Sequence, residues 1–138
     1  MTTGESLITW LYGFDGIESD DLIEVDSLGS AAESYGLYRQ PGSETTVFVD
    51  GSRDVTEHYY LLARRASKGD RARTGNSAWM ETLEQWVRAR NMARELPALE
   101  TGRTCNSVGV SVSAYMSGAE DTGTAEYQVS LSINYTEE

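Results

Sequence analysis

From Val108 onward the chain alternates apolar and small polar residues. Val108, Val110, Val112, Ala114 and Met116 fall on one side; Gly109, Ser111, Ser113 and Tyr115 fall on the other. After a break at Ser117–Gly123, Ala125, Tyr127, Val129, Leu131, Ile133 and Tyr135 alternate with Thr124, Glu126, Gln128, Ser130, Ser132 and Asn134. A period of two over this length predicts a long antiparallel hairpin with one buried face. Its second face is serine and threonine, which makes no core. It is either bare to water or packed against another copy, because long uncovered strands invite association.

Earlier segments carry shorter signals. Over residues 4–13, Leu7, Ile8 and Leu11, with Trp10 beside them, form one helical stripe. Glu5 sits at the positive end of that helix, and Gly13 and Gly16 end it. Leu22–Asp26 alternates apolar with acidic residues and predicts a short strand. Ser34–Arg39 predicts another, stopped by Pro41-Gly42. The β-branched run Thr45–Val49 leads into Asp50-Gly51, a hairpin signal, and Val55 to Arg65 returns as a central strand. Residues 66–75 read as a basic polar loop, with Asn76 or Ser77 capping the next helix. In that helix Trp79, Leu83, Trp86 and Val87 share a face, Glu84 precedes Arg88 by one turn, and the pattern continues through Met92, Ala93 and Leu96 to Pro97.

The expected fold is therefore α+β: a mainly antiparallel sheet with a long C-terminal hairpin, covered on one face by two helices. The expected core includes Trp79, Leu83, Trp86, Val110, Val112, Val129, Leu131 and Ile133. At 138 residues the chain suits a single domain, 1–138, with no repeat or linker. No run of about 18 apolar residues exists to span a membrane. Neither a signal-peptide pattern nor a second cysteine beside Cys105 is present, which leads to the expectation of a reducing compartment.

Charge adds asymmetry. The net charge is -11, which disfavours tight binding to free duplex DNA. Residues 1–60 carry twelve acids and two arginines, residues 61–103 nine basic and five acidic side chains, and residues 104–138 five acids with no Lys or Arg. The plain reading is a solvated surface. The more specific one is attraction between copies, with Arg64, Arg65, Lys68, Arg71 and Arg73 meeting the acidic stretch Asp15, Glu18, Asp20, Asp21, Glu24 and Asp26 of a neighbour.

Candidate chemistry is sparse. His58 is the only histidine and no nucleophile is placed beside it; Cys105 lies in no nucleophile motif. One Cys and one His do not make a usual zinc set, the acidic stretch has no EF-hand spacing, and Ser67–Asp70 and Thr101–Thr104 make no phosphate loop. No catalytic residue, metal or cofactor is expected.

The order of segments resembles a family. Tyr35-Gly36-Leu37-Tyr38, Val49-Asp50-Gly51-Ser52, Leu61-Leu62-Ala63-Arg64-Arg65, Trp86, Leu96-Pro97-Ala98-Leu99, Gly102-Arg103 and Ala125-Glu126-Tyr127-Gln128-Val129 together resemble the minor capsid and tail-completion proteins of long-tailed phages, the tail-terminator group in particular. The resemblance runs from Leu7 to Tyr135 and implies a non-enzymatic protein. Members assemble as a ring, typically of six copies, on the last ring of the tail tube, and they stop its growth. The implied partners are other copies of the chain, the tail tube protein and the head–tail connector. DNA would be present only in transit through the hole, and no membrane is involved. The implied location is the virion head–tail junction, after assembly in the host cytoplasm. The basic stretch 64–73 has no counterpart role in that family. Two other readings stand beside it: a head-side connector ring, and a small monomeric ligand-binding or enzymatic domain built around Trp10, Trp79 or the Tyr59-Tyr60 pair.

Overall fold

A computed structural model describes residues 2–17, 23–25, 34–66, 70–119 and 124–138. The elements run α1 (Thr3–Leu11), β1 (Ile23–Val25), β2 (Ser34–Val47), β3 (Arg53–Ala66), α2 (Asp70–Met92), β4 (Arg103–Ala119) and β5 (Thr124–Glu137). The five strands form one sheet in the order β1-β2-β3-β5-β4. Only the β1–β2 pair is parallel; the rest are antiparallel. The α+β architecture and the long terminal hairpin follow the sequence pattern.

The start of α1 is set by a chemical cap. Thr2 accepts from the Glu5 amide at 3.1 Å, while its hydroxyl donates to the Glu5 carboxylate at 3.2 Å. That pair satisfies a free helix-end amide. The apolar stripe Leu7, Ile8 and Leu11 is buried, as are Leu83 and Val87 of α2. Both helices pack on one sheet face, made of Tyr35 and Leu37 from β2, Tyr59, Leu61 and Ala63 from β3, Val108 from β4, and Tyr127, Val129, Leu131 and Ile133 from β5. Trp79 is buried; Trp86 and Val110 pack against this core while half-exposed. The side chain of Val112 lies outside the described residues.

Four expectations are corrected. Pro41-Gly42 does not stop β2. The strand continues to Val47, and its register slips so that Arg39 faces Tyr59 while Ser43 faces Glu57. Four steps on β2 thus match two on β3, a bulge with Gly42 at φ +88. Proline is tolerated here because, among the described residues, only Tyr35–Leu37 of β2 pair on that side, so Pro41 has no described strand outside it.

The second helix begins at Asp70, not after Asn76. The polar composition of residues 70–75 suggests a loop, but Arg71-Ala72-Arg73 are good helix formers, and one glycine costs only about 1 kcal/mol against alanine. The helix then ends five residues before Pro97. Arg94 adopts φ 61, and the Glu95 amide reaches back to the Arg90 carbonyl at 2.9 Å. A left-handed residue closes the helix before proline is needed.

Strict alternation holds on β5 but not on β4. Tyr127, Val129, Leu131, Ile133 and Tyr135 are all buried. On β4 the register shifts at four places, between Cys105 and Ser107, Val110 and Val112, Val112 and Tyr115, and Met116 and Gly118. Val112 thus pairs with Ser130 and Met116 with Tyr127, a register that unbroken alternation does not give; the side chains of residues 111–119 lie outside the described residues.

Candidate functional site

The sheet's second face is a consequence of the same registers. Gly36 and Tyr38 on β2, Thr56, His58, Tyr60 and Leu62 on β3, and Gln128, Ser130, Ser132 and Asn134 on β5 stand opposite the helix-covered side. No described helix lies over them. Most are half-exposed, and Ser130 is buried. A polar ladder crosses the strands at one end. The Asn134 amide donates to the Thr56 hydroxyl at 2.9 Å and to the Val55 carbonyl at 3.3 Å, and it accepts from Asn106 at 2.9 Å. Asn106 also donates to the Thr136 hydroxyl at 3.0 Å. These bonds satisfy polar groups of the face without adding a core to it.

The two sheet edges differ. On β4 the Asn91 side chain of α2 accepts the Val108 amide at 3.0 Å, which blunts that edge where the helix crosses it. On β2 no described strand lies outside residues 38–47. That edge runs into the turn Val49-Asp50-Gly51. Gly51 takes φ +90, a left-handed conformation that a side chain would strain. Asp50 accepts from the Ser52 amide at 2.9 Å and its hydroxyl at 2.6 Å, and these bonds hold the carboxyl below its ordinary range. The tip is thus well defined, yet it is apolar. Val47, Phe48 and Val49 are 66%, 49% and 109% exposed.

A charged cleft of about 570 Å³ lies between the start of α1 and the far end of the sheet's helix side. Glu57, 6% exposed, pairs with Arg39 at 2.6 Å. Glu137 pairs with Arg53 and, at 2.7 Å, with Arg103, which also donates to the Thr3 hydroxyl at 3.0 Å. The two arginines lower the Glu137 carboxyl below its ordinary value. Burial, then the Glu57 charge, pushes Tyr59 up to about 12, and burial also raises Tyr135. Glu57 and Glu137 already hold cations, and both phenols stay protonated at neutral pH. With Glu100, the cleft lining carries three carboxylates against the three arginines Arg39, Arg53 and Arg103, so it is internally neutralised.

The residues singled out in the sequence do not converge. Arg64 and Arg65 point to opposite sheet faces. Arg64 is 9% exposed, with Glu126 at 4.0 Å. Arg65 lies 4.7 Å over the Trp79 ring and donates to the Tyr35 hydroxyl at 2.9 Å. Both are engaged inside their own chain, which removes them from a shared basic patch. Arg71 and Arg73 ride on the first turns of α2 with side chains outside the described residues, as is all of Lys68. Asp15 is exposed beside α1, and Glu24 is half-buried in β1; Glu18, Asp20, Asp21 and Asp26 lie outside the described residues. His58 has Glu44 at 3.5 Å on the polar face. Cys105 is half-buried, and burial pushes its thiol up to about 11, so it is a poor nucleophile. Among the described residues no group of three His, Cys, Asp or Glu side chains is placed to hold a metal.

Sequence reasoning missed the apolar tip. Its signal was present: Val47-Phe48-Val49 is a run of three apolar residues directly against a turn, where polar residues are usual. It also missed a pocket of about 290 Å³ formed by Phe14, Asp15, Gly16, Ala78, Trp79, Thr82 and Trp86. Trp79 builds that pocket by donating to the Gly16 carbonyl at 2.8 Å and stacking on Tyr35 at 5.8 Å. Trp86 meets Phe14 at 5.6 Å and Trp10 at 4.7 Å. No described helix is long and apolar enough to cross a membrane. No family model matches the chain, and no curated protein matches it.

Proposed function

We propose that the chain is a structural virion protein that forms a ring at the top of a phage tail tube, ends tube growth and joins the tail to the head connector while DNA passes through the hole. The observation that supports this reading is the second side of the sheet: a polar face over which no described helix lies, a β2 edge from Arg39 to Val47 with no described strand outside it, and an apolar tip at its end. Open edges and apolar projections are features that proteins cover by association. The segment order that resembles tail terminators supplies the location. A net charge of -11 suits a hole through which DNA slides without sticking.

Sedimentation equilibrium of the full chain, with electron microscopy of purified tails, tests the reading. Rings in solution or at the upper rim of tails support it. A chain that stays monomeric up to about 1 mM, where even a weak joint worth roughly 4 kcal/mol is half-formed, and that is missing from tails, overturns it.

The charged cleft favours one other reading, a monomeric ligand-binding domain. Its volume suits a small molecule, and Arg39 is more than half exposed above the buried Glu57. Because Glu57 and Glu137 there already hold arginines, a ligand that takes those arginines would have to displace an ion pair, which makes this the weaker reading. Calorimetric titration with small carboxylates and phosphates separates the two.

A further inference from the structure

The protruding tip and the apolar pocket lie at opposite ends of one strand. The tip adjoins Arg53, the first residue of β3, whereas the pocket is built around Trp79, which packs under Arg65 near the last. Twelve strand steps separate those positions, roughly 40 Å at about 3.3 Å each. A tip cannot fold back over its own sheet to fill its own pocket. A second copy can fill it.

We infer that Val47, Phe48 and Val49 of one copy seat in the Phe14–Trp79–Trp86 pocket of the next, joining chains head to tail. The sizes agree: the pocket offers about 290 Å³, room for one aromatic side chain with its neighbours' edges. The hairpin is acidic, with Glu44, Asp50 and Asp54 against Arg53; on the pocket side Arg88 is held by Glu84, Arg90 by Glu95, and Asp15 stands in the lining. The joint is therefore apolar, with Val47, Phe48 and Val49 set against Phe14, Trp79 and Trp86. Because knob and hole sit at different places on the chain, the contact is heterologous and generates a ring when its rotation closes. The inference rests on the self-assembly reading and names the contact that would make it.

The test uses the full chain and two exposed positions, so that the core is left alone. Phe48→Ser removes the knob. Ala78→Glu fills the mouth of the pocket and places an acid against the acidic tip. Each variant should self-associate at least about tenfold more weakly in sedimentation, the scale of a lost aromatic anchor, with an unchanged circular dichroism spectrum. Met92→Ser, which removes an exposed apolar side chain elsewhere, should leave association unchanged. An equimolar mixture of the two weakened variants keeps one intact joint, between the A78E tip and the F48S pocket. It should give dimers and nothing larger. If the wild type assembles and both variants assemble equally well, the inference fails while the ring reading stands. If the wild type assembles neither in solution nor on purified tails, both fail.

Discussion

At Gly16 the packing leaves no room for a side chain. A Cβ there would lie 2.4 Å from the Phe14 ring and 2.8 Å from Trp79 Nε1, the atom that donates to the Gly16 carbonyl. Gly16→Ala should therefore lower stability by about 1–3 kcal/mol, the usual cost of overpacking, and should shift the tryptophan emission of the folded state; urea unfolding followed by fluorescence reads both. The aromatic stripe on α2 was legible from spacing, but Gly16 read only as a helix stop. Its close contact joins residues 63 positions apart, and no local pattern encodes that. Arg65 shows the same limit. In the sequence it belongs to a basic run, yet its guanidinium stacks on Trp79 in the folded chain. Tyr59 gives a prediction in pH. Its folded value of about 12 is raised above the ordinary 10.0 by burial first and by the Glu57 charge second. The neutral phenol is thus the form the fold prefers. Its contribution is complete below the unfolded value and is lost as pH rises from about 10 towards 12. Tyr59→Phe should flatten that part of the alkaline unfolding curve, with circular dichroism against pH as the measurement.

At the scale of elements, pattern succeeded where one period held and failed where backbone irregularity intervened. β5 kept its alternation from Tyr127 to Tyr135, and the Asp50-Gly51 turn formed where the dipeptide placed it. β4 lost alternation through register shifts. Bulges answer to the partner strand's twist and leave little trace in a run of valines and serines. Pro41-Gly42 misled for a related reason: a proline breaks a central strand but only bends an edge one, and edge status is decided by distant pairing. The start of α2 was missed because residues 66–75, which end in Gly75, are basic and polar and read as a loop. That glycine lies in the helix interior, and a methyl group on its Cα would meet nothing within 4 Å. Gly75→Ala should thus stabilise the protein by about 0.5–1 kcal/mol by restricting the unfolded chain and supporting the helix. Thermal or urea denaturation would show it, and a loss of stability would mean that residues 70–75 are not helical in the folded state.

The whole molecule is tied together by contacts between distant segments. β3 pairs with β5 from Arg53–Glu137 to Ala66–Thr124, so loops of about 60 to 80 residues must close before the central pair exists. β5 lies between β3 and β4 in the sheet, although it comes after both in the sequence. Without it, β4 loses its only described strand partner, and the buried side chains of Leu61 and Val108 lose the Val129, Leu131 and Ile133 layer that covers them. Each of those three side chains contributes roughly 1.5–3 kcal/mol by burial, together comparable with the whole stability of an ordinary domain of about 5–15 kcal/mol. A chain stopped after residue 123 should accordingly show no cooperative unfolding transition by circular dichroism or tryptophan fluorescence, whereas removal of Glu138 alone should leave the transition in place. The same topology predicts refolding on the millisecond-to-second scale of sheets with distant pairing, measurable by stopped-flow fluorescence. A truncated chain that still unfolds cooperatively would mean that α1, α2 and β1–β3 make a core of their own, and that the terminal hairpin is an addition to it.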